Sequence, residues 1–280
     1  MRYERVDSVD SACVSLARGG RALAGGTDLV LMRSGGSVDD DVIVDLKALP
    51  ELIGINRSPE GMVIGAMATM RTLSRGADGG EFDCIRDSAS LVGAPQTRAR
   101  ATIGGNICRS SPSGDTLPSM LAVDAELTLV SVRGKRHVRI GDFFTGPGTN
   151  VMADDELLAS IFVPMTGRSS AYGRVTYRAA LDLAVVGVAV RLLVLDGVCV
   201  DARVALGGVA PTPILVPGAS EALRGNLSDL RGPEAAGALA ADACTPISDV
   251  RGSAEYRRHA VGVLTARTAL LAWERAGESR

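Results

Sequence analysis

Apolar and polar residues follow two textures along this chain, with the change near residue 165. Over Ser8–Ala17, Val9, Ala12, Cys13, Leu16 and Ala17 recur at helical spacing, and Gly19-Gly20 stops the helix. Arg21–Ala24 reads as a short strand, and Gly25-Gly26 turns the chain. Thr27 or Asp28 can cap a short helix through Met32. Val42–Leu46 is an apolar strand. Leu52–Asn56 and Met62–Ala66 flank a hairpin-like turn at 57–61, and Thr69 caps a further short helix. A helix is expected over Asp83–Leu91, then a loop over Ala101–Pro118, then a helix from near Thr116 to about Asp124. Strands are expected at Glu126–Val132, Lys135–Arg139 and Leu157–Val163, with a loop over Asp142–Asn150.

Pro164–Ser170 is the best linker. Beyond it, Val185–Leu195 and Val198–Leu206 are long apolar strands joined at Asp196-Gly197, a favoured hairpin dipeptide. A polar stretch punctuated by Gly and Pro follows. Ser253–Ala276 reads as a closing helix with Tyr256, Ala260, Val263, Leu264, Leu270 and Leu271 on its apolar side. That face leaves Val261 and Trp273 without cover, beside the charges of Glu255, Arg257, Arg258 and Arg267, a combination that suggests a partner surface. The pattern divides the chain into two small α/β units, about 1–57 and 58–165, and an α+β domain over 171–277.

Two stretches break the core pattern in the same way. Ala24-Gly25-Gly26-Thr27-Asp28-Leu29 and Thr102-Ile103-Gly104-Gly105-Asn106 each place a glycine pair before polar residues and a helix. Glycine lets backbone N–H groups approach a ligand, and successive N–H groups form an anion-binding concavity. Asn106 adds amide donors, and Ser110, Ser111 and Ser113 add hydroxyls. Arg109 is the single basic side chain of the second stretch, so a phosphate there relies mainly on backbone dipoles. Each stretch alone also reads as a plain turn. Two of them, one per unit, suit one extended ligand with two phosphates.

Composition narrows the choice. Apolar residues are 46% of the 280 and aromatics 3%, so the core is aliphatic and stacking platforms for single-stranded nucleic acid are not expected. The net charge is −2, with no basic block, which argues against a nucleic-acid partner. No apolar run reaches the ~18 residues of a membrane span, and MRYERVDSVDS lacks a signal-peptide core. The cytoplasm is the expected compartment. Cys13, Cys84, Cys108, Cys199 and Cys244 show no zinc or iron–sulfur spacing, so separate reduced thiols and no metal site are expected. His137 and His259 stand alone, and no catalytic acid–base set is indicated. Neither a Walker A sequence nor a GxGxxG fingerprint is present.

AGGTDL at 24–29 and TIGGNI at 102–107, with SPSGD at 111–115 and Pro118, resemble the FAD-binding medium subunit of molybdenum hydroxylases. That family includes flavoprotein subunits of carbon monoxide dehydrogenase, nicotine dehydrogenase and bacterial xanthine dehydrogenase. YGRVTYRAALDLAVVGVAV at 172–190, ALGGVAPTP at 205–213 and SAEYRRHAVGVLTARTAL at 253–270 extend the likeness over nearly the whole chain, in order.

The resemblance implies an α+β protein: a two-part α/β FAD-binding domain of the vanillyl-alcohol-oxidase (PCMH) type over 1–165, then a small α+β domain. It implies that Ala24, Gly25, Gly26, Thr27, Asp28 and Leu29, with Thr102, Ile103, Gly104, Gly105 and Asn106, hold the FAD pyrophosphate, with Ser110 close by. Asp115 would accept from ribose or ribityl hydroxyls, though it also suits a helix N-cap. Leu158 would touch the adenine side or the flavin edge. Arg174 and Asp182 would lie near the flavin pyrimidine edge, or form an ordinary surface ion pair. Cys108 and Arg109 stand where relatives often have small residues, and Ile214-Leu215 where an Arg is common. The implied function is an oxidoreductase subunit that relays electrons through FAD. A small subunit would carry [2Fe-2S] clusters and a large one the molybdenum cofactor, as a dimer of heterotrimers. A self-sufficient FAD oxidoreductase and a cofactor-free assembly protein of the same fold are the rival readings.

Overall fold

The computed structural model describes every residue except 39, 77–79, 166–168, 179–180, 228 and 279–280. Part of the expected linker at Pro164–Ser170 therefore lies outside the described residues. The first unit comprises β1 (Arg2–Arg5), α1 (Val9–Ala17), β2 (Arg21–Leu23), α2 (Leu29–Ser34) and β3 (Val42–Asp45). Its three strands run parallel in the order β1-β3-β2. Ser8 and Ser11 cap α1 reciprocally, each side chain accepting from the other's backbone N–H. The unit's core, including Leu16, Val44 and Leu49, is completed by Met67 and Leu157 from the next unit.

The second unit opens with the expected hairpin, β4 (Ile55–Ser58) and β5 (Gly61–Gly65). Helices α3 (Met70–Gly76), α4 (Asp83–Leu91), α5 (Pro95–Arg98), α6 (Ile103–Arg109) and α7 (Thr116–Ala122) follow. Thr69 caps α3 by accepting from the Thr72 N–H. Strands β6 (Glu126–Ser131), β7 (Gly134–Arg139), β8 (Phe144–Gly146), β9 (Thr149–Asn150) and β10 (Leu157–Pro164) complete it. Its antiparallel sheet has the order β4-β5-β10-β6-β7. The stretch expected as a loop over Asp142–Asn150 contains the small β8–β9 pair. The loop expected over Ala101–Pro118 contains α6. Glycines weaken a helix by about 1 kcal/mol each, but Ile103 and Ile107, one turn apart, are both fully buried in the core. Tertiary packing overrides propensity there.

The last part has one antiparallel sheet, β11 (Ser169–Val175), β12 (Val186–Leu195), β13 (Val198–Gly207) and β14 (Ile214–Leu215), with α8 (Pro217–Ala222), α9 (Arg231–Asp242) and α10 (Ala254–Glu278). Asp196 and Gly197 both have positive φ (50° and 76°), as the hairpin dipeptide predicts. Successive residues of a strand face opposite sides. Val186, Val188, Val190 and Leu192 enter the core beneath α8–α10. Tyr172, Ala189 and Ala205 point the other way, into the core of the second unit, where α4 and α7 cover the sheet. Arg275 of α10 fastens the same junction, donating to both carboxylate oxygens of Asp87 and to the Ser170 carbonyl.

Helix α10 buries a face that only partly matches the one expected: of that set Ala260 is buried and Leu264 packs on the core. Arg257, Ala260, Val261, Thr265, Thr268, Ala269 and Ala272 are buried, while Tyr256, Val263 and Leu271 are exposed. Trp273 packs against the same core. The reason is close approach. A Cβ built on Gly237 of α9 would stand 2.4 Å from the Gly262 carbonyl oxygen, so only small side chains fit between the helices. Val261 and Trp273 therefore mark no open partner surface. Arg257 is not solvated either. It donates to the carbonyls of Val185 and Gly208 and to the Asp249 carboxylate. Among the described residues no helix is long and apolar enough to cross a membrane.

Candidate functional site

The two glycine stretches face one cleft of about 850 Å³. Ala24, Gly25, Gly26, Thr27, Asp28 and Leu29 form one wall, and Thr102, Gly105, Asn106 and Asp115 another. Arg178, Leu181, Asp182 and Leu183, with Arg251, add a third wall from the C-terminal part. A second cavity of about 630 Å³ adjoins the first, sharing Ala24, Gly105, Cys108 and Gly148, and reaches Gly104 and Leu158. Both volumes lie in the range of small-molecule and cofactor sites.

The two stretches build this cleft by different means. Among the described residues, the backbone N–H groups of Gly25, Gly26, Thr27, Asp28 and Leu29 have no acceptor in the protein. Unpaired N–H groups on a cavity wall attract an anion. The N–H groups at 103–106 are committed. Ile103 donates to the Ala68 carbonyl, Gly104 to that of Ala66, Gly105 to the Thr102 Oγ1 and Asn106 to the Thr102 carbonyl. The second stretch is thus a capped helix start rather than an open N–H cradle. Its polar group on the cleft is the half-buried Asn106 side chain. Thr116 donates to the Asn106 Oδ1 at 2.6 Å, an assignment that leaves the NH₂ end of this cleft-lining residue for a ligand.

The glycines also divide by role. A Cβ on Gly25 would lie 1.9 Å from the Arg100 carbonyl oxygen, so this glycine lets the first stretch pack directly on the second unit. A Cβ on Gly104 would meet Ala66 at 2.7 Å. Gly105 is different. It is exposed on the cleft wall and a Cβ there would touch only Thr102, at 3.0 Å. Its missing side chain opens room for a ligand.

Asp115 is buried at the cleft and makes no helix cap bond. Tyr172 donates to one carboxylate oxygen at 2.8 Å and Arg174 to the other at 2.7 Å. Burial pushes the Asp115 carboxyl above the ordinary carboxylate range, while the Arg174 charge and the two hydrogen bonds pull it back. Burial and the Asp115 charge likewise hold the Tyr172 hydroxyl well above its ordinary value, so it stays a donor. The remaining lone pairs of Asp115 suit ligand hydroxyls.

Of the expected set, Gly104 and Leu158 line only the second cavity, and three residues line neither. Ile103 is fully buried in the core. Ser110 is buried, donates to the Ile107 carbonyl and accepts from Asn150. Arg174 stands behind Asp115 and also donates to the Asp182 carbonyl at 3.3 Å. Its partner is thus the Asp115 carboxylate, in a buried pair, rather than the Asp182 side chain in a surface one. The Asp182 carboxylate accepts from the N–H groups of Arg178 and Leu183 and so shapes the third wall. Those two bonds, the Arg178 one first, hold its carboxyl below the ordinary range. Sequence reasoning missed Tyr172 as the second donor to Asp115, and missed Arg178 and Arg251. Two residues apart on β11, Tyr172 and Arg174 share one face, and that spacing is the signal that could have paired them.

Two α/β units and a helix-backed sheet enclosing an elongated, anion-receptive cleft define a dinucleotide-binding flavoprotein scaffold. Residues 1–166 match the FAD binding domain in molybdopterin dehydrogenase, and residues 171–272 match the CO dehydrogenase flavoprotein C-terminal domain. The chain belongs to this family of FAD-binding subunits of molybdenum-dependent oxidoreductases. It is 34% identical to the carbon monoxide dehydrogenase medium chain of Afipia carboxidovorans, over 95% of this chain and 94% of that one. It is 32% identical to the xanthine dehydrogenase FAD-binding subunit of Escherichia coli O157:H7, over 94% and 92%. Among solved structures, a chain of the cyanide-inactivated Cu,Mo-CO dehydrogenase superposes with a TM-score of 0.92 at 33% identity, covering 98% of each chain. A chain of quinoline 2-oxidoreductase from Pseudomonas putida 86 gives 0.91 at 26% identity, covering 99% of this chain and 98% of that one.

Proposed function

We propose that this chain is the electron-relay subunit of a multi-subunit molybdenum hydroxylase. It holds one FAD without a covalent bond, as a domain of residues 1–165 followed by one of 171–277. The observation that carries this reading is the run of five N–H groups at Gly25–Leu29 without an acceptor among the described residues, opposite Asn106 and Asp115 in one cleft. These groups suit a pyrophosphate on one side and hydroxyl-bearing sugar or ribityl atoms on the other. Gly105 leaves space for close approach, and Leu158 lines the extension of the cleft. Arg174 and Tyr172 keep the Asp115 carboxylate in place. Arg178, Leu181, Asp182 and Leu183 line the cleft from the C-terminal side. The flavin, when bound, supplies the redox chemistry; the protein binds, orients and shields it.

In this reading a small partner carries iron–sulfur clusters and a large partner the molybdenum cofactor. Electrons pass from the clusters to this chain and on to an external acceptor. The assembly is a cytoplasmic dimer of heterotrimers. Purification from the native host tests it. The expected result is a flavin absorption spectrum, with iron and molybdenum co-eluting in a particle well above the chain's 28.9 kDa. A flavin-loaded monomer free of both metals, across dilutions and salt concentrations, would overturn the relay reading. Turnover of an organic substrate by that monomer would establish the self-sufficient alternative.

A further inference from the structure

One contact crosses the mouth of the cleft. The Arg109 Nε of α6 stands 3.5 Å from the Asp28 carboxylate of the first glycine stretch. Both side chains are exposed, 41% and 58% respectively, and both residues line the cleft. The Arg109 side chain also passes over the β8–β9 turn, where a Cβ on Gly148 would lie 3.2 Å from its NH1. Two other guanidinium groups of the cleft, Arg21 and Arg178, are held more firmly. Arg21 makes two hydrogen bonds to Asp40, at 3.0 and 3.2 Å. Arg178 donates to the Leu181 carbonyl at 2.8 Å. Arg251 lies beside Asp249, which also accepts from the Arg251 N–H. Arg109 is joined to Asp28 by one long, solvent-screened contact, which is weak and easily exchanged.

This arrangement sets a carboxylate against an anion site. The five free N–H groups attract a phosphate, yet Asp28 places a negative charge in the same run. A guanidinium prefers the bidentate geometry of phosphate oxygens to a single distant carboxylate contact. We infer that Arg109 exchanges partners: it pairs with Asp28 across the cleft mouth in the free protein and turns to the pyrophosphate of bound FAD. The inference rests on the flavoprotein reading above. It makes Arg109 a side-chain cation of the pyrophosphate site, and Asp28 its competitor rather than its helper.

The opposite effects of two substitutions test it. The full-length chain is stripped of flavin, and FAD is titrated by fluorescence at several ionic strengths. Arg109→Ala should weaken FAD binding about tenfold and flatten its salt dependence, the loss of one charge-assisted contact. Arg109→Lys should recover part of the affinity and the salt dependence. Asp28→Asn should tighten binding about threefold, because the competing carboxylate is gone. An Asp28→Asn variant that binds more weakly, like Arg109→Ala, would show that the pair serves only to close the cleft, and would overturn the exchange. So would an Arg109→Ala variant that matches the parent at every ionic strength. A parent chain with no affinity for FAD would defeat the flavoprotein reading itself.

Discussion

Arg174 and Asp115 form a buried ion pair of 2.7 Å that joins the C-terminal sheet to the wall of the cleft. Each side chain is less than a tenth exposed. The carboxylate belongs to the start of α7 and the guanidinium to β11, so one contact ties the candidate site to the domain that covers it. Removing one partner of a buried pair leaves an uncompensated charge.

Arg174→Met should therefore destabilise the chain by about 3 kcal/mol and reduce flavin content. Asp115→Asn with Arg174→Met should cost less than Arg174→Met alone. The sign of the pH dependence follows from the Asp115 carboxyl, which burial already raises above its unfolded value. An acid raised on folding favours the native state when protonated, and that contribution fades as pH rises through the folded pKa. Without Arg174 the rise is larger. The deficit of Arg174→Met should thus widen from acid to neutral pH, as read from urea midpoints; a constant deficit would contradict the pair.

The glycines give a second prediction. Gly25→Ala sets a Cβ against the Arg100 carbonyl, and its effect should be structural, a loss of about 1–3 kcal/mol from overpacking. Gly105→Ala meets only the Thr102 hydroxyl and gains helix propensity of about 1 kcal/mol. Its melting temperature should stay near the parent's while FAD binding weakens. If Gly105→Ala kept full flavin affinity, the ligand would not approach that wall.

Much of this site was legible in the chain, and the reasons are specific. Gly25-Gly26 and Gly104-Gly105 mark close approach wherever they occur, and the cleft lies between them. Asp196-Gly197 forms its turn because both residues adopt positive φ. Legibility failed where identity of partner matters more than residue type. Gly104 reads like Gly105, yet one packs on Ala66 and the other faces the cleft. The N–H groups at 103–106 look available until Ala66 and Ala68 are seen to accept from two of them. The buried face of α10 is made mainly of Ala and Thr with Arg257 and Val261, and its exposed face holds Val263 and Leu271. Tight helix packing selects for size, which a hydrophobic pattern does not read.

The cysteines should be chemically quiet. Burial pushes the thiols of Cys84 and Cys108 up to about 12 and those of Cys199 and Cys244 up to about 11, and raises Cys13 as well. Thiolate is the reactive form, so near neutral pH almost none is present. A thiol-specific chromogenic reagent should label the native chain negligibly and all five cysteines after denaturation. Rapid native labelling of Cys13, Cys84, Cys199 or Cys244, all buried, would contradict this.

The wall of the second cavity predicts an acid-sensitive contact. Glu156 accepts from Arg136 Nε and NH2 at 2.7 and 2.8 Å and from the Ala153 N–H at 2.9 Å, tying edge strand β7 to the turn that lines the cavity. The Arg136 bonds, as the largest cause, hold the Glu156 carboxyl below its ordinary value. An acid depressed on folding stabilises the native state above its unfolded pKa and loses that contribution as pH falls through the folded pKa. Arg136 is half-exposed, so the contribution is about 1 kcal/mol or less. Glu156→Gln should therefore be less stable than the parent at neutral pH by that amount. The gap in urea midpoint should close as pH falls below the ordinary glutamate range. A gap that persists in acid would assign the loss to packing instead of charge.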